Sequence, residues 1–118
     1  MSQDKNKQLV VRLLDRTRRS KIDWKDAVEG GFQVSLSNNT IKLQKSQGRN
    51  GIVYTVSLFN AVGELADAFT DEELDADENT GVWFEALREM HGLAQRYARG
   101  ADKILNEILS ELDDDIPF

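Results

Sequence analysis

Apolar residues return at alternating spacings of four and three across residues 80–112, and this stripe constrains the fold more than any other feature of the sequence. Its main row consists of Trp83, Leu87, Met90, Ala94, Tyr97, Ala101, Ile104 and Ile108. Further apolar residues, among them Phe84, Leu105 and Leu112, broaden it. A stripe this wide is typical of a helix that lies across a sheet rather than of a coiled-coil seam. The rest of the chain must therefore supply a surface that covers the helix.

The length of this predicted helix raises a second requirement. At about 1.5 Å per residue its 33 residues would extend about 50 Å, whereas a compact domain of this size is about 35 Å across. The helix must therefore break at Gly92 or Gly100, or a second copy must cover its far end. Because Tyr97, Ala101 and Ile104 keep the spacing across Gly100, we expect a mostly continuous helix and a homodimer. The residues expected in the core or the dimer interface are Trp83, Leu87, Met90, Tyr97, Ile104 and Ile108.

The residues before this helix predict an α+β fold. Ser2 can cap a first helix that runs to about Arg19. From Phe32 the apolar period changes to two, and turn residues divide the segment up to Phe69 into four strands. We therefore expect an N-terminal helix, a four-stranded antiparallel meander and a long C-terminal helix packed on the sheet. Residues 1–112 form one domain in this prediction, and residues 113–118 form an acidic, flexible tail.

The most specific short signal precedes the long helix. Thr70 and Glu73 fit a capping box, and Phe69 and Leu74 are placed as a hydrophobic staple. A brief helical turn is therefore expected from Asp71, before acidic residues lead into the long helix.

The composition excludes several kinds of protein and site. The chain of 118 residues has the length of one domain, and its lack of cysteine excludes disulfides, thiolate zinc sites and thiol nucleophiles. No stretch approaches the roughly 20 apolar residues of a membrane span, and the N-terminal segment lacks the apolar run of a signal peptide. We therefore expect a cytoplasmic protein without membrane contact, and the composition is typical of bacteria.

Charge is distributed unevenly along the chain. Residues 1–21 carry seven lysines and arginines against two aspartates, a balance of +5 within a chain of net charge −6. The candidate partner-binding residues are Arg12, Arg16, Arg18, Arg19, Trp24 and Phe118. A solvated basic face near a helix C-terminus is the simpler interpretation of the arginines. Trp24 also suits an anchor to the core better than an exposed contact.

The acidic loop at residues 75–81 has oxygen donors at alternating positions. Asp75, Asp77 and Asn79 match the first half of an EF-hand loop and are candidate Ca²⁺ ligands. Thr80 stands where that pattern needs glycine, and the bidentate glutamate is missing from its position. The simpler interpretation is that the dipole of the following helix stabilises these carboxylates. We therefore expect no cofactor, with Ca²⁺ as the alternative.

The sequence offers little for catalysis. His91 is the only histidine, and its place beside the apolar stripe favours a partly buried, hydrogen-bonded core residue. The sequence contains no Gly-x-Ser-x-Gly elbow, His-Glu-x-x-His pair or Gly-Lys-Ser/Thr loop. The chain is therefore not expected to be an enzyme.

The order of several segments resembles a group of small uncharacterised bacterial α+β proteins. These segments are Leu13-Leu14-x-x-Thr17 with Ile22-x-Trp24, residues 69–74, and residues 101–109 of the long helix. The resemblance covers most of the chain and implies the fold, but it implies no activity.

Charge and size favour a non-enzymatic accessory or regulatory protein, antitoxin-like or immunity-like, that binds an unknown protein. Acidic surfaces of this kind complement a basic partner. The alternative is a nucleic-acid-associated regulator that uses the basic N-terminal helix, together with Lys42, Lys45 and Arg49. The acidic remainder of the chain opposes nucleic-acid binding. A calcium-binding module is a further alternative.

Overall fold

The computed structural model describes residues 2–76 and 80–114. Their helices and strands are α1 (Ser2–Arg18), β1 (Lys25–Asp26), β2 (Phe32–Leu36), β3 (Asn39–Gly48), β4 (Gly51–Phe59), β5 (Leu65–Thr70), α2 (Asp71–Asp75), α3 (Val82–Ala98) and α4 (Ala101–Asp114). None of these helices combines the length and the apolar character that crossing a bilayer requires. Residues 115–118 of the predicted tail lie outside the described residues.

The strands form one antiparallel sheet in which each strand pairs with the next one in the chain, in the order β1-β2-β3-β4-β5. Ser37 and Asn38 connect β2 to β3 with φ angles of 51° and 65°, the conformation of a tight two-residue hairpin turn. The α+β fold and the antiparallel meander are thus confirmed. The prediction of four strands is wrong by one, because β1 has only two residues and shows no apolar period. Its pairing with Phe32 and Gln33 of β2 defines it.

The core lies between one face of the sheet and the helices. α3 packs across strands β1 to β4, and α1 packs beside it against α3. The largest fully buried side chains there are Trp24, Phe32, Phe69, Leu43, Leu74, Leu87, Met90, Val10 and Val56. The N-terminal part of the predicted stripe therefore does lie on the sheet.

Trp24 fixes the connector after α1 to this core. Its side chain is 1% exposed, and its indole N–H donates a hydrogen bond to the hydroxyl of Thr17 at 3.0 Å. That hydroxyl donates in turn to the carbonyl of Leu13 at 2.7 Å. The connector is thus held to α1 by a polar chain inside an apolar core.

The capping box at the start of α2 is confirmed. The hydroxyl of Thr70 accepts from the amide of Glu73, whose carboxylate accepts from the amide of Thr70, both at 3.2 Å. The carboxylate of Asp71 is buried and accepts from the amide of Tyr54 in β4 at 2.7 Å. These bonds attach α2 to the sheet and set the direction of the chain before α3.

The prediction of a mostly continuous C-terminal helix is wrong, because the helix breaks between α3 and α4. Gly100 has a φ of +65°, and the amides of Arg99 and Gly100 bond to the carbonyls of Gln95 and Tyr97, as at a helix C-terminus. Gly92, the other candidate for the break, lies within α3. α4 leads away from the domain, so the described residues span 62 × 35 × 25 Å.

Candidate functional site

α4 exposes a row of large apolar side chains. Every residue from 102 to 113 is exposed, and five apolar side chains on one side of the helix are each about half exposed. They are Ile104 (50%), Leu105 (49%), Ile108 (49%), Leu109 (46%) and Leu112 (54%), which we name the α4 stripe. Their spacing is that of one face of an amphipathic helix. Contiguous exposed apolar surface of this kind marks an interaction site.

Acidic side chains border the α4 stripe. Residues 101–114 contain five aspartates and glutamates against one lysine, a net charge of −4. Glu107 and Glu111 follow Ile104 and Ile108 by three residues, so helical geometry places both carboxylates at one edge of the stripe. The surface that α4 offers is therefore apolar at its centre and acidic at its edge.

The first turn of α4 is joined to the end of α3 by an ion pair. The guanidinium of Arg96 lies 2.6 Å from the carboxylate of Asp102, across the break at Gly100. Tyr97 in the last turn of α3 is 45% exposed and lines a depression with Gly100 and Asp102. The break thus has a defined hydrogen-bonded geometry.

A groove of about 730 Å³ lies between α1 and the N-terminal half of α3, and we name it the α1–α3 groove. Its apolar lining consists of Leu9, Val10, Val11, Leu13, Leu14, Leu36, Val82, Trp83 and Ala86. Val11 and Val82 are more than half exposed, at 56% and 54%. Such a concave apolar surface between two helices suits an amphipathic helix.

The α1–α3 groove continues toward the N-terminus of α4. A second depression of about 650 Å³ shares Leu14 and Arg18 with the groove and extends to Leu93 and Arg96. A third, of about 170 Å³, begins at these two residues and reaches Gly100. One concave surface therefore follows the two helices to the point where α4 departs.

Basic side chains line one side of the groove. Arg12, Arg16 and Arg18 are among its lining residues, and the acidic lining residue Asp15 lies 3.4 Å from Arg19. Arg18 donates two hydrogen bonds to the carboxylate of Glu89 at 2.6 and 2.7 Å, and this contact lowers the pKa of Glu89. Within residues 2–76 and 80–114, Arg12 and Arg16 make no ion pair. The groove therefore offers two guanidinium groups to a ligand.

The predicted partner-binding residues fall into separate places. Those that line the groove are Arg12, Arg16 and Arg18. Arg19 lies 3.4 Å from Asp15 on its own helix. The prediction of Trp24 as a partner contact is wrong, because the ring is buried in the core. Phe118 lies outside the described residues.

The predicted core or dimer stripe divides at the end of α3. Leu87 and Met90 are fully buried, and Trp83 lies partly buried at the groove. The members that remain exposed are Tyr97, Ile104 and Ile108. Sequence reasoning missed Leu109, although it follows Leu105 by four residues, and it missed Val11 and Val82 because the groove exists only where two helices meet. The homodimer stays a prediction.

Asp75 stabilises the N-terminus of α3. Its two carboxylate oxygens accept hydrogen bonds from the amides of Trp83 at 3.0 Å and Phe84 at 3.1 Å. The other predicted Ca²⁺ ligands, Asp77 and Asn79, lie outside the described residues. The described part of the chain assembles no group of three or more side chains suited to a metal. The calcium hypothesis stays a prediction.

His91 belongs to the core of α3, as predicted. It is 8% exposed, and its ring stands edge-on to Phe32 at 5.1 Å and tilted against Tyr54 at 5.5 Å. Burial lowers the pKa of His91, and the charges of Lys45 and Arg99 lower it further. The imidazole is therefore neutral at pH 7 and packs as an aromatic ring.

The basic residues considered for nucleic acid are partly neutralised. Arg18 and Arg19 are ion-paired, and the ammonium group of Lys42 lies 3.9 Å from the carboxylate of Glu29 and 5.0 Å from the ring centre of Phe59. These contacts reduce the charge available to phosphate groups.

No protein-family model, curated protein or solved structure matches this chain. The resemblance to small bacterial α+β proteins therefore stays a prediction.

Proposed function

We propose that this chain is a non-enzymatic accessory or regulatory protein, antitoxin-like or immunity-like in type, that binds another protein through the α4 stripe. The observation that carries the proposal is the half exposure of five large apolar side chains on one face of a helix that leads away from the core. An amphipathic helix of this kind binds by laying its apolar face into a hydrophobic groove.

The energetics of α4 favour a covered state. Isolated helices shorter than about 12–15 residues are marginally stable in water, and α4 has 14 residues that are nearly all exposed. Covering one half-exposed leucine or isoleucine contributes about 1 kcal/mol. The helix is therefore most stable when a partner covers the whole stripe.

The acidic edge of the stripe restricts the partner. Glu107 and Glu111 would face any surface that covers Ile104 and Ile108. A partner with an apolar centre and basic residues beside it complements this arrangement, and the charges contribute to specificity and to the rate of association.

Photo-crosslinking from two sides of α4 tests the proposal. Benzoylphenylalanine in place of Ile108 lies within the stripe, whereas in place of Ser110 it lies on the opposite side of the same helix. In cells we expect an adduct of defined mass from position 108 and none from position 110. Equal yields from both positions, or no adduct from either, would contradict the proposal.

A second substitution tests whether the crosslink at position 108 depends on the apolar side chains of the α4 stripe. In the chain labelled at position 108, Leu112→Glu adds a charge to the stripe without disturbing the core, and we expect the adduct to disappear. Ser110→Glu adds the same charge to the opposite side and is the matched control, which should leave the adduct unchanged. An adduct that survives Leu112→Glu would show that the stripe is not the contact.

A further inference from the structure

We propose that the protein covering the α4 stripe is a second copy of this chain, with α4 of each copy lying in the α1–α3 groove of the other. This inference rests on the proposed function, because it names the partner of the same stripe. One chain carries both the projecting helix and a groove that suits it. Two copies related by a two-fold axis can therefore satisfy both surfaces and form a closed pair.

The apolar surfaces match in length and in shape. The α4 stripe, residues 104–112, extends about 12 Å, and the part of α1 that lines the groove, residues 9–18, extends about 14 Å. A helix placed in the groove packs against α1 and α3 together, with the side-chain ridges of one helix between those of the others. The same contact would cover Val11 and Val82, which the domain leaves exposed.

The charges of the two surfaces also match. Arg12 and Arg16 beside the groove are four residues apart, as are Glu107 and Glu111 beside the stripe, so each pair spans about 6 Å along its helix. Like charges at this spacing repel each other slightly on a single helix. Placing one pair opposite the other adds attractions that offset the two repulsions, which favours this occupant over a neutral one.

The position of α4 makes binding to the groove of a second copy more favourable than binding to the groove of its own chain. The concave surface reaches Gly100 and the first turn of α4, at Asp102 and Lys103, where α4 departs from the domain. For α4 to enter its own groove, the chain would have to reverse at Gly100 and separate Arg96 from Asp102, which lie 2.6 Å apart. A second copy requires no such rearrangement.

Reversal of charge on each surface tests the inference. The groove variant carries Arg12→Glu and Arg16→Glu, and the helix variant carries Glu107→Lys and Glu111→Lys, all on exposed side chains. At about 100 µM we expect light scattering to give twice 13.4 kDa for the unaltered chain and 13.4 kDa for either variant alone. Each reversal should weaken self-association about 30-fold or more. Circular dichroism serves as the control, and we expect both variants to give the spectrum of the unaltered chain.

Mixing the two variants is the decisive measurement. In a mixed pair, one contact joins the two altered surfaces and the other joins the two unaltered surfaces, so both contacts have opposite charges. We therefore expect an equal mixture to recover the dimer, although neither variant forms it alone. If α4 instead paired with α4, the groove variant would remain dimeric and mixing would add nothing, which would overturn the inference.

The remaining outcomes separate this inference from the proposed function. A monomeric unaltered chain at all concentrations overturns self-association, whereas an adduct from position 108 to a different protein would then leave the proposed function standing. A dimer that survives both charge reversals also overturns the inference. Ile108→Glu provides a second variant, in which every residue of the groove is unaltered, and we expect it to be monomeric.

Discussion

At the scale of single residues, Asp75 and His91 show what the fold adds to a local pattern. Asp75 accepts hydrogen bonds from amides eight and nine residues further along the chain, and His91 contacts rings from β2 and β4. The apolar period predicts that His91 lies in the core, since it repeats with the helix. No spacing predicts the cap formed by Asp75, because its partners belong to α3 and meet it only when α3 lies beside α2.

Removing the carboxylate of Asp75 should destabilise the domain. Asp75→Ala leaves two amides at the N-terminus of α3 without an acceptor, and we expect the free energy of unfolding to fall by about 1–2 kcal/mol in urea denaturation. Glu72→Ala, which removes an exposed carboxylate from α2, is the control and should change it by less than about 0.5 kcal/mol. Equal losses in the two variants would show that the cap contributes nothing specific.

His91 should make stability depend on pH in mildly acidic solution. Because the fold lowers the pKa of His91 from about 6.5, the unfolded chain binds a proton first as the pH falls. The stabilisation is therefore complete above pH 6.5 and is lost progressively below it. We expect the urea midpoint of the native chain to decrease between pH 7.5 and 5.5, and His91→Gln to abolish most of that decrease. A variant that keeps the full decrease would assign it to another group.

At the scale of elements, apolar period identifies the helices and longer strands but not the point where a helix breaks. The apolar spacing continues across Gly100 in the sequence, because a glycine with a positive φ changes the direction of the helix without adding or removing a residue. β1 has no period of its own and exists through its pairing with β2. The candidate site was therefore predictable as a set of residues on one helix face, but neither its exposure nor the groove could be derived from the spacing.

Two glycines of the same helical region should respond oppositely to alanine. No atom lies within 4 Å of an added Cβ at either Gly92 or Gly100, so backbone conformation decides both results. Gly92→Ala should stabilise α3 by about 0.5–1 kcal/mol, whereas Gly100→Ala, at a φ of +65°, should destabilise by about 1 kcal/mol. Thermal unfolding of the pair measures both changes. Stabilisation by both substitutions would mean that the helix runs through residue 100 in solution.

At the scale of the whole molecule, the chain consists of a packed body and a helix that contributes little to it. The radius of gyration of 16.9 Å exceeds the value of about 13.5 Å expected for a compact domain of this length. The difference comes from α4, whose apolar face the body does not cover. Within the described residues, the buried core that stabilises the chain therefore lies outside α4.

Removing α4 should leave the body folded. A chain ending at residue 100 keeps every side chain of the buried core, so we expect cooperative unfolding with a midpoint within about 4 °C of the full chain under dilute conditions. The full-length chain with Ile108→Glu, which keeps α4 but adds a charge to its apolar face, is the control. Loss of cooperative unfolding in the shortened chain would show that α4 packs on the body.

The contacts of this fold differ widely in how many residues of the chain separate the two partners. Neighbouring strands of the meander meet after short loop closures, whereas Arg18 and Glu89 meet across 71 residues. Contacts between residues far apart in the chain carry a larger loop-closure cost than those of a hairpin, so we expect docking of α1 on α3 to come late in folding. One wall of the α1–α3 groove is α1 itself. We therefore expect the concave surface to form only when folding is complete, so that an incompletely folded chain lacks the groove.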